Sequence, residues 1–487
     1  MRKLHIVTPY ESIAMHKMTD PLSNLSGIFE ITTGTQPNLE ADLNYHVPWH
    51  TLAGLDKGNS KHAMLYTHCN PGAESALMDA CERADLIICM SFSGRKDLVS
   101  MGVDPAKLWV IYAGADGQMV RKNIGVIGFE QPNARKRLHL LLDLVWKLDK
   151  NTLSAINFVL VGGGMEQIGE EMKSAGASVV IEPPLSKEDL ESLYPALDLL
   201  LVTGYTEGGP LPILEAFASG VDVLSPDFGY GADFLPDRSI YKSDEDLINK
   251  LTARYKSMVD NVLLAKALSW QQYVNEHVMA FVNILGGSEE WENGSRRYDQ
   301  LLDIIRNEEI QTICEIGTWN GARAVQMIQA AAHFNPIENV EYYGFDLFEA
   351  QTGEQLRREF SKPGWPQEIV ARRISATGCK ISLIGGDTHK TLLPNIKAGM
   401  DLYFIDGGHS EATIRHDWKV VAKAMTKNST VVFDDYYGEG KPEGVGCNVI
   451  IDNLDRRDYE VTILPVVTDA NGLHIQMAEV RLARIPV

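Results

Sequence analysis

E-G-G-P-L-P-I-L-E-A-F-A-S-G (207–220) decides how much of the chain is read. A carboxylate, Glu207, is followed by Gly208, Gly209 and Pro210, and then by an apolar run carrying a second carboxylate, Glu215. Proline is favoured in the first turn of a helix, where its missing N–H costs nothing. The glycine pair lets a ligand come close to the backbone. A helix start of this kind presents unpaired N–H groups and the positive end of the helix dipole, which suit a diphosphate. Two flanking carboxylates suit hydroxyl groups. The combined chemistry is that of a nucleotide sugar. The plainer alternative is a capped helix with two solvated glutamates.

The context favours the ligand. Upstream, N-F-V-L-V-G-G-G-M-E (157–166) is an apolar strand running into a glycine turn, and V-V-I-E-P-P-L-S-K-E-D-L-E-S-L-Y-P-A-L-D-L-L-L-V-T-G-Y-T leads into Glu207. Further out lie A-D-L-I-I-C-M-S-F-S-G-R-K-D-L (84–98), G-V-D-P-A-K-L-W-V-I-Y-A-G-A-D (102–116) and S-W-Q-Q-Y-V (269–274). In this order the segments resemble retaining GT-B glycosyltransferases over roughly residues 80–285. The resemblance implies two Rossmann-like halves, a nucleotide-sugar donor and retention of anomeric configuration. It implies that Glu215 binds the nucleotide ribose and that Glu207 holds donor sugar hydroxyls in the catalytic site. It also implies an Arg and a Lys on the donor diphosphate, near N-A-R-K-R-L-H-L-L-L-D-L-V (133–145). Lys136 matches the lysine. Phe129 stands where the arginine is usual, so Arg135 or Arg137 would take its place. The pattern predicts that these cations open a helix, where they would oppose its dipole and welcome an anion. No metal and no nucleophile are assigned here. The family's glycine loop after the first strand is missing, because K-L-H-I-V-T (3–8) is followed by no glycine before Gly27.

The totals fit about three domains of ordinary size in 487 residues. The chain is 45% hydrophobic and 23% charged, as soluble globular proteins are. No run approaches the ~18 apolar residues of a membrane span. The N-terminus lacks the apolar core of a signal peptide. A formal net charge of −20 argues against a general nucleic-acid binder. Six cysteines without a CxxC pair argue against zinc and a disulfide framework, and point to the cytoplasm.

After the polar stretch G-G-S-E-E-W-E-N-G-S (286–295), strand–glycine–helix order starts afresh. T-I-C-E-I-G-T-W-N-G (312–321) is a strand and glycine turn, with a helix predicted from Ala322. V-E-Y-Y-G-F-D (340–346), I-S-L-I-G-G-D (381–387), D-L-Y-F-I-D-G-G-H (401–409) and S-T-V-V-F-D-D-Y (429–436) are apolar strands ending in acid. An open α/β sheet places its site at such strand ends. The series resembles class I S-adenosylmethionine-dependent methyltransferases, closest to the metal-dependent O-methyltransferases acting on sugar hydroxyls. The resemblance implies that Glu315, Gly317 and Gly321 surround the methionine part of S-adenosylmethionine, with Asp346 on its ribose and Asp387 by its adenine. Asp406, Asp434 and Asp435 form a hard-oxygen set suited to Mg²⁺. His409, three residues after Asp406, has the pKa range of a general base.

The expected fold is α/β throughout: two Rossmann-like halves of a GT-B glycosyltransferase plus a class I methyltransferase Rossmann-like domain. The expected divisions are a short acceptor half (1–118), a nucleotide-sugar half with a crossing helix (119–285), a linker (286–295) and a methyltransferase domain (296–487). The expected function is glycosyl transfer to a glycan or glycosylated small molecule, with methylation of a sugar hydroxyl. The alternative is a sugar O-methyltransferase carrying an inactive glycosyltransferase-like scaffold or a nucleotide sensor.

Overall fold

The computed structural model describes the chain except for residues 10–12, 57, 116–118, 130–135, 205–209, 287–296, 360–361, 439–440, 466, 471–472 and 484–487. Arg135, Glu207, Gly208, Gly209 and most of the expected linker therefore lie outside the described residues. The described strands form three sheets.

The first sheet contains β1 (Arg2–Val7), β2 (Phe29–Gly34), β3 (Leu43–His46), β4 (Lys61–Tyr66), β5 (Leu86–Cys89) and β6 (Leu108–Val110). Its order is β2-β1-β3-β4-β5-β6, parallel throughout. All residues of β3, β5 and β6 are buried. Strands covered on both faces need such unbroken burial.

The second sheet contains β7 (Lys122–Ile127), β8 (Ile156–Val161), β9 (Ser178–Glu182), β10 (Leu199–Leu201), β11 (Asp222–Pro226) and β12 (Ile240–Tyr241). Its order is β12-β11-β10-β7-β8-β9, also parallel. Strand order therefore reverses between β7 and β10, the doubly wound arrangement whose ligand crevice lies beyond those two strand ends.

The third sheet contains β13 (Thr312–Ile316), β14 (Glu341–Asp346), β15 (Lys380–Gly385), β16 (Leu402–Ile405), β17 (Thr430–Tyr437), β18 (Tyr459–Ile463), β19 (Thr468–Ala470) and β20 (Leu473–Leu482). Its order is β15-β14-β13-β16-β17-β20-β18, with β19 also paired to β20. The first five of these strands are parallel, and β20 runs antiparallel to β17 and β18. Here the order reverses between β13 and β16. The register of β17 on β20 shifts between Phe433 and Tyr436, so Asp434 and Asp435 sit in a bulge. The sequence pattern had placed this pair at the end of a strand. Instead the strand continues through them, and Asp435 has a φ of 57°. Bulges re-aim side chains beside active sites.

Residues 1–115 and 266–487 form one compact unit and residues 116–265 a second. Within the first unit a single hydrophobic core includes Leu4, Tyr45 and Ile88 of the first sheet and Ile313, Tyr342 and Phe404 of the third. The amide of Gln329 pairs with both backbone groups of Val110, accepting from its N–H at 2.6 Å and donating to its carbonyl at 3.2 Å. It thereby closes the edge strand β6, which would otherwise bury unsatisfied backbone. Arg95 donates to the Ala332 carbonyl at 3.0 Å.

The helix Trp270–Ile284 is capped by Ser269, whose side chain accepts from the Gln272 N–H. Tyr273, His277 and Phe281 are buried on one helix face. The Tyr45 hydroxyl meets His277 Nε2 at 3.1 Å, and the Tyr45 and Phe281 ring centroids are 5.1 Å apart. Burial lowers the His277 pKa to about 4. Burial, with the nearby His62 and His5, lowers that of His46 to about 3. An unfolded histidine titrates near ~6.5. Between that value and the depressed ones, the unfolded chain binds more protons than the folded chain. Stability is therefore fully present above about pH 6.5 and is lost as the pH falls towards 4 and 3. The His277 shift alone amounts to about 3 kcal/mol. Between about pH 7 and about pH 5 the wild-type urea midpoint should lose ground relative to that of a His277→Asn variant; a constant difference would contradict this. Among the described residues no helix is long and apolar enough to cross a membrane.

Candidate active site

One cavity of about 880 Å³ opens at the reversal of the third sheet. Gly317, Asp346, Asp387, Asp406, His409, Asp434 and Asp435 all line it. Gly317 follows β13 with a φ of 102°, and a Cβ there would lie 2.0 Å from the Asp406 carbonyl oxygen. Only glycine satisfies both the conformation and the contact. Gly321 caps the helix Ala322–Ala331 in the left-handed region. The Asp346 carboxylate accepts from the Trp319 N–H at 2.7 Å and from the Phe348 N–H at 2.9 Å, which fixes the glycine loop against the end of β14. Burial raises its pKa against these two hydrogen bonds. Asp387 accepts from the His389 N–H at 3.0 Å and caps the helix Thr388–Asn395.

Glu315 does not line the cavity. It is fully buried beneath the loop and accepts from the Tyr342 hydroxyl, while its Oε1 has no partner. Burial raises its pKa to about 8, against the Tyr342 hydrogen bond. Buried polar atoms are rarely left unpaired, so this orphan marks an incomplete environment under the glycine loop.

The catalytic end gathers side chains from distant parts of the chain. His409 Nδ1 is hydrogen-bonded to Asp435 Oδ2. Burial lowers the histidine's pKa, but Asp435, Asp434 and Glu359 outweigh it, and the net shift is upward. Glu359 clamps the segment after His409. Its carboxylate accepts from the Ser410 N–H at 3.0 Å, the Ser410 hydroxyl at 3.1 Å and the Thr413 hydroxyl at 2.9 Å.

Asp434 is held by Arg297, with Nε on Oδ1 at 2.7 Å and Nη2 on Oδ2 at 2.9 Å. It also accepts from the Tyr298 hydroxyl at 2.6 Å and the Asp435 N–H at 2.9 Å. Burial raises the Asp434 pKa, but the guanidinium wins and holds it below the usual value. Burial and the charges of Asp434 and Asp435 push Asp406 well above its usual value.

The expected Mg²⁺ set can be tested against these contacts. Hard oxygens suit that ion, but both Asp434 oxygens are already taken by a bidentate guanidinium and a phenol. Asp435 is committed to His409. Among the described residues no group of three His, Cys, Asp or Glu is placed to hold a metal ion. As arranged, the donor set does not fit a divalent cation, because Arg297 occupies both oxygens of Asp434. Sequence reasoning missed Arg297, Tyr298 and Glu359.

In the second unit, the helix Leu211–Ala218 starts at Pro210, as the sequence indicated. Glu215 is exposed, and its Oε2 accepts from the Tyr194 hydroxyl at 2.5 Å. The helix expected to begin around Arg135–Arg137 instead begins at His139. Arg137 has a φ of 48°, which a helix cannot include. Its guanidinium pairs with Asp244 at 2.5 Å. The Lys136 carbonyl accepts from the Thr203 hydroxyl at 2.5 Å, which ties the basic turn to the end of β10. A Cβ on Gly128 would lie 3.7 Å from Lys136 Nζ, so the ammonium reaches the end of β7. Lys136 and Thr203 thus meet at the strand reversal.

Residues 127–239 match the family described as glycosyl transferases group 1, and residues 314–436 match the methyltransferase domain family. Two curated proteins called D-inositol 3-phosphate glycosyltransferase, from Mycobacterium marinum and Mycobacterium ulcerans, are each 26% identical over 176 residues, or 30% of this chain. The chain spans about a third of the length of these relatives, 36%. Among solved structures, S. aureus TarM (a mutant in complex with fondaparinux, α-GlcNAc-glycerol and UDP) is 14% identical, with 55% of this chain and 58% of that one covered and a TM-score of 0.23. The O-methyltransferase TomG from Streptomyces achromogenes, in complex with SAM, is 15% identical, with 46% and 90% covered and a TM-score of 0.29. At such scores the fold assignment rests on the strand orders themselves. The chain carries a glycosyltransferase group 1 segment and a methyltransferase segment.

Proposed function

We propose a bifunctional glycan-modifying enzyme. Residues 1–118 and 119–285 carry out retaining glycosyl transfer from a nucleotide sugar, and residues 296–487 methylate a sugar hydroxyl with S-adenosylmethionine. The observation that carries the methyl-transfer reading is the His409–Asp435 pair, lining the same cavity as the Gly317 loop and Asp346. The Gly317 loop, Asp346 and Asp387 would hold the cofactor, which supplies a methyl group on a positively charged sulfur. With Nδ1–H engaged by Asp435, His409 presents Nε2 to the acceptor. That nitrogen takes the hydroxyl proton as the oxygen–methyl bond forms and the sulfur–methyl bond breaks, leaving the thioether product. Asp435 orients the imidazole and stabilises its cationic form.

Arg297 pairs with Asp434 where a metal ion would otherwise bind. Methyl transfer should therefore persist at full rate in excess chelator; its loss there and return with Mg²⁺ would contradict this assignment.

For glycosyl transfer, the Pro210 helix start and Lys136 face the donor diphosphate and Glu215 the nucleotide ribose. Glu207, Gly208, Gly209 and Arg135 keep the roles that the resemblance implies. Glu215→Ala should weaken nucleoside diphosphate binding by about 1.5–3 kcal/mol, the share of a charge-assisted hydrogen bond. Unchanged affinity in titration calorimetry would sink the assignment. The bond from Tyr194 to Glu215 favours a second reading, in which this glutamate is structural and the segment is a scaffold or nucleotide sensor. Donor turnover separates the two, because a scaffold or sensor transfers no sugar. Six free cysteines fit a reducing cytoplasm as the proposed location.

A further inference from the structure

The cavity extends past the cofactor loop and the His409 pair to a wall made by the helix Trp270–Ile284. Gln272, Asn275 and Met279 of that helix line it, as do Tyr298, Arg323 and Gln326. Positions 272, 275 and 279 are three and four residues apart and share one helix face. The opposite face buries Tyr273, His277 and Phe281 against the first sheet. The helix therefore braces the first sheet and also walls the methyl-transfer cavity.

A run of side-chain contacts links this wall to the reacting end. Gln326 Nε2 points at Met279 Sδ, 3.7 Å away, and Arg323 donates to Gln326 Oε1 at 2.5 Å. The Arg323 guanidinium lies 3.5 Å from the centroid of the Tyr298 ring, and the Tyr298 hydroxyl donates to Asp434. Gln326 is only 4% exposed, yet one of its amide donors faces a thioether, a weak acceptor. A hydroxyl oxygen would serve that donor better. At about 880 Å³ the cavity is near the upper end of the ~300–1,000 Å³ typical of small-molecule sites, with room for a second ligand beside a nucleoside cofactor.

We infer that Gln272, Asn275, Arg323 and Gln326 form the acceptor subsite of the methyl-transfer site and hold a glycosyl group by its hydroxyls. This rests on the proposed sugar O-methylation. Amides and a guanidinium offer the donors and acceptors that a polyhydroxylated ring needs. The residues that select the methyl acceptor then lie partly outside the segment matching the methyltransferase family, on the helix that completes the glycosyltransferase-like part.

The test uses the full chain, a panel of p-nitrophenyl glycosides as acceptors, and S-adenosylmethionine. Asn275 is exposed, so Asn275→Trp fills the wall without disturbing the core. Asn275→Trp and the double variant Gln272→Ala, Asn275→Ala should each raise the acceptor KM at least about tenfold, the effect of losing one good hydrogen bond. The KM for S-adenosylmethionine and the thermal shift with S-adenosylhomocysteine should stay at wild-type values, which controls for folding. Wild-type acceptor KM in both variants would overturn the subsite while leaving sugar methylation standing. A wild-type chain that methylates simple phenols but no glycoside would overturn the functional reading and the subsite together.

Discussion

His409→Ala lowers the methyl-transfer rate by about 10²–10⁴-fold, the usual share of a general base. S-adenosylhomocysteine binding should be retained, because the proposed cofactor residues Gly317, Asp346 and Asp387 do not depend on the imidazole. The effect should fall on kcat rather than on the cofactor KM. Asp435→Asn should give a smaller loss, since the imidazole stays but loses the charge that orients it. Single-turnover rates with a labelled methyl group check both. A fully active His409→Ala protein would leave the pair with Asp435 as a structural contact.

Arg297→Ala destabilises the chain by about 3–5 kcal/mol, the cost of removing one partner of a buried ion pair. The Arg297 and Asp434 side chains are 12% and 2% exposed, so solvent cannot replace the lost guanidinium. The expected measurement is a fall in the urea midpoint. Millimolar Mg²⁺ should partly restore the variant, because the freed carboxylates then offer hard-oxygen ligands to a cation. The wild-type midpoint should not respond to Mg²⁺. A wild type stabilised strongly by Mg²⁺ would mean that Arg297 gives way to the metal.

Much of the scaffold was legible in the residues. Apolar runs closed by glycine or acid marked β13 to β16, of which β13 and β16, at the centre of the sheet, are almost wholly buried. That logic singled out Gly317, Asp346, Asp387, Asp406 and His409, which line one cavity. It did not find Arg297, whose partner Asp434 lies 137 residues further on. Pairing over such a separation leaves no local pattern. A clue was present in the cation opening the helix Arg297–Asn307, where it opposes the dipole unless an anion compensates. The bulge at Asp434 and Asp435 depends on the partner strand β20, so no reading of Val431–Tyr436 alone could place it. The basic turn was read as helical because its charges continue into an apolar period. The left-handed Arg137 delays the helix to His139. Gln272 and Asn275 look like an ordinary solvated face until the third sheet is packed beside them.

The central claim is that the third sheet's cavity methylates a sugar hydroxyl. The direct measurement is mass spectrometry of glycosides incubated with the full chain and S-adenosylmethionine bearing a trideuterated methyl group. A glycoside that gains one labelled methyl on a ring oxygen, with the gain lost in His409→Ala, is the expected result. A chain that binds S-adenosylhomocysteine but leaves every glycoside unlabelled would contradict it.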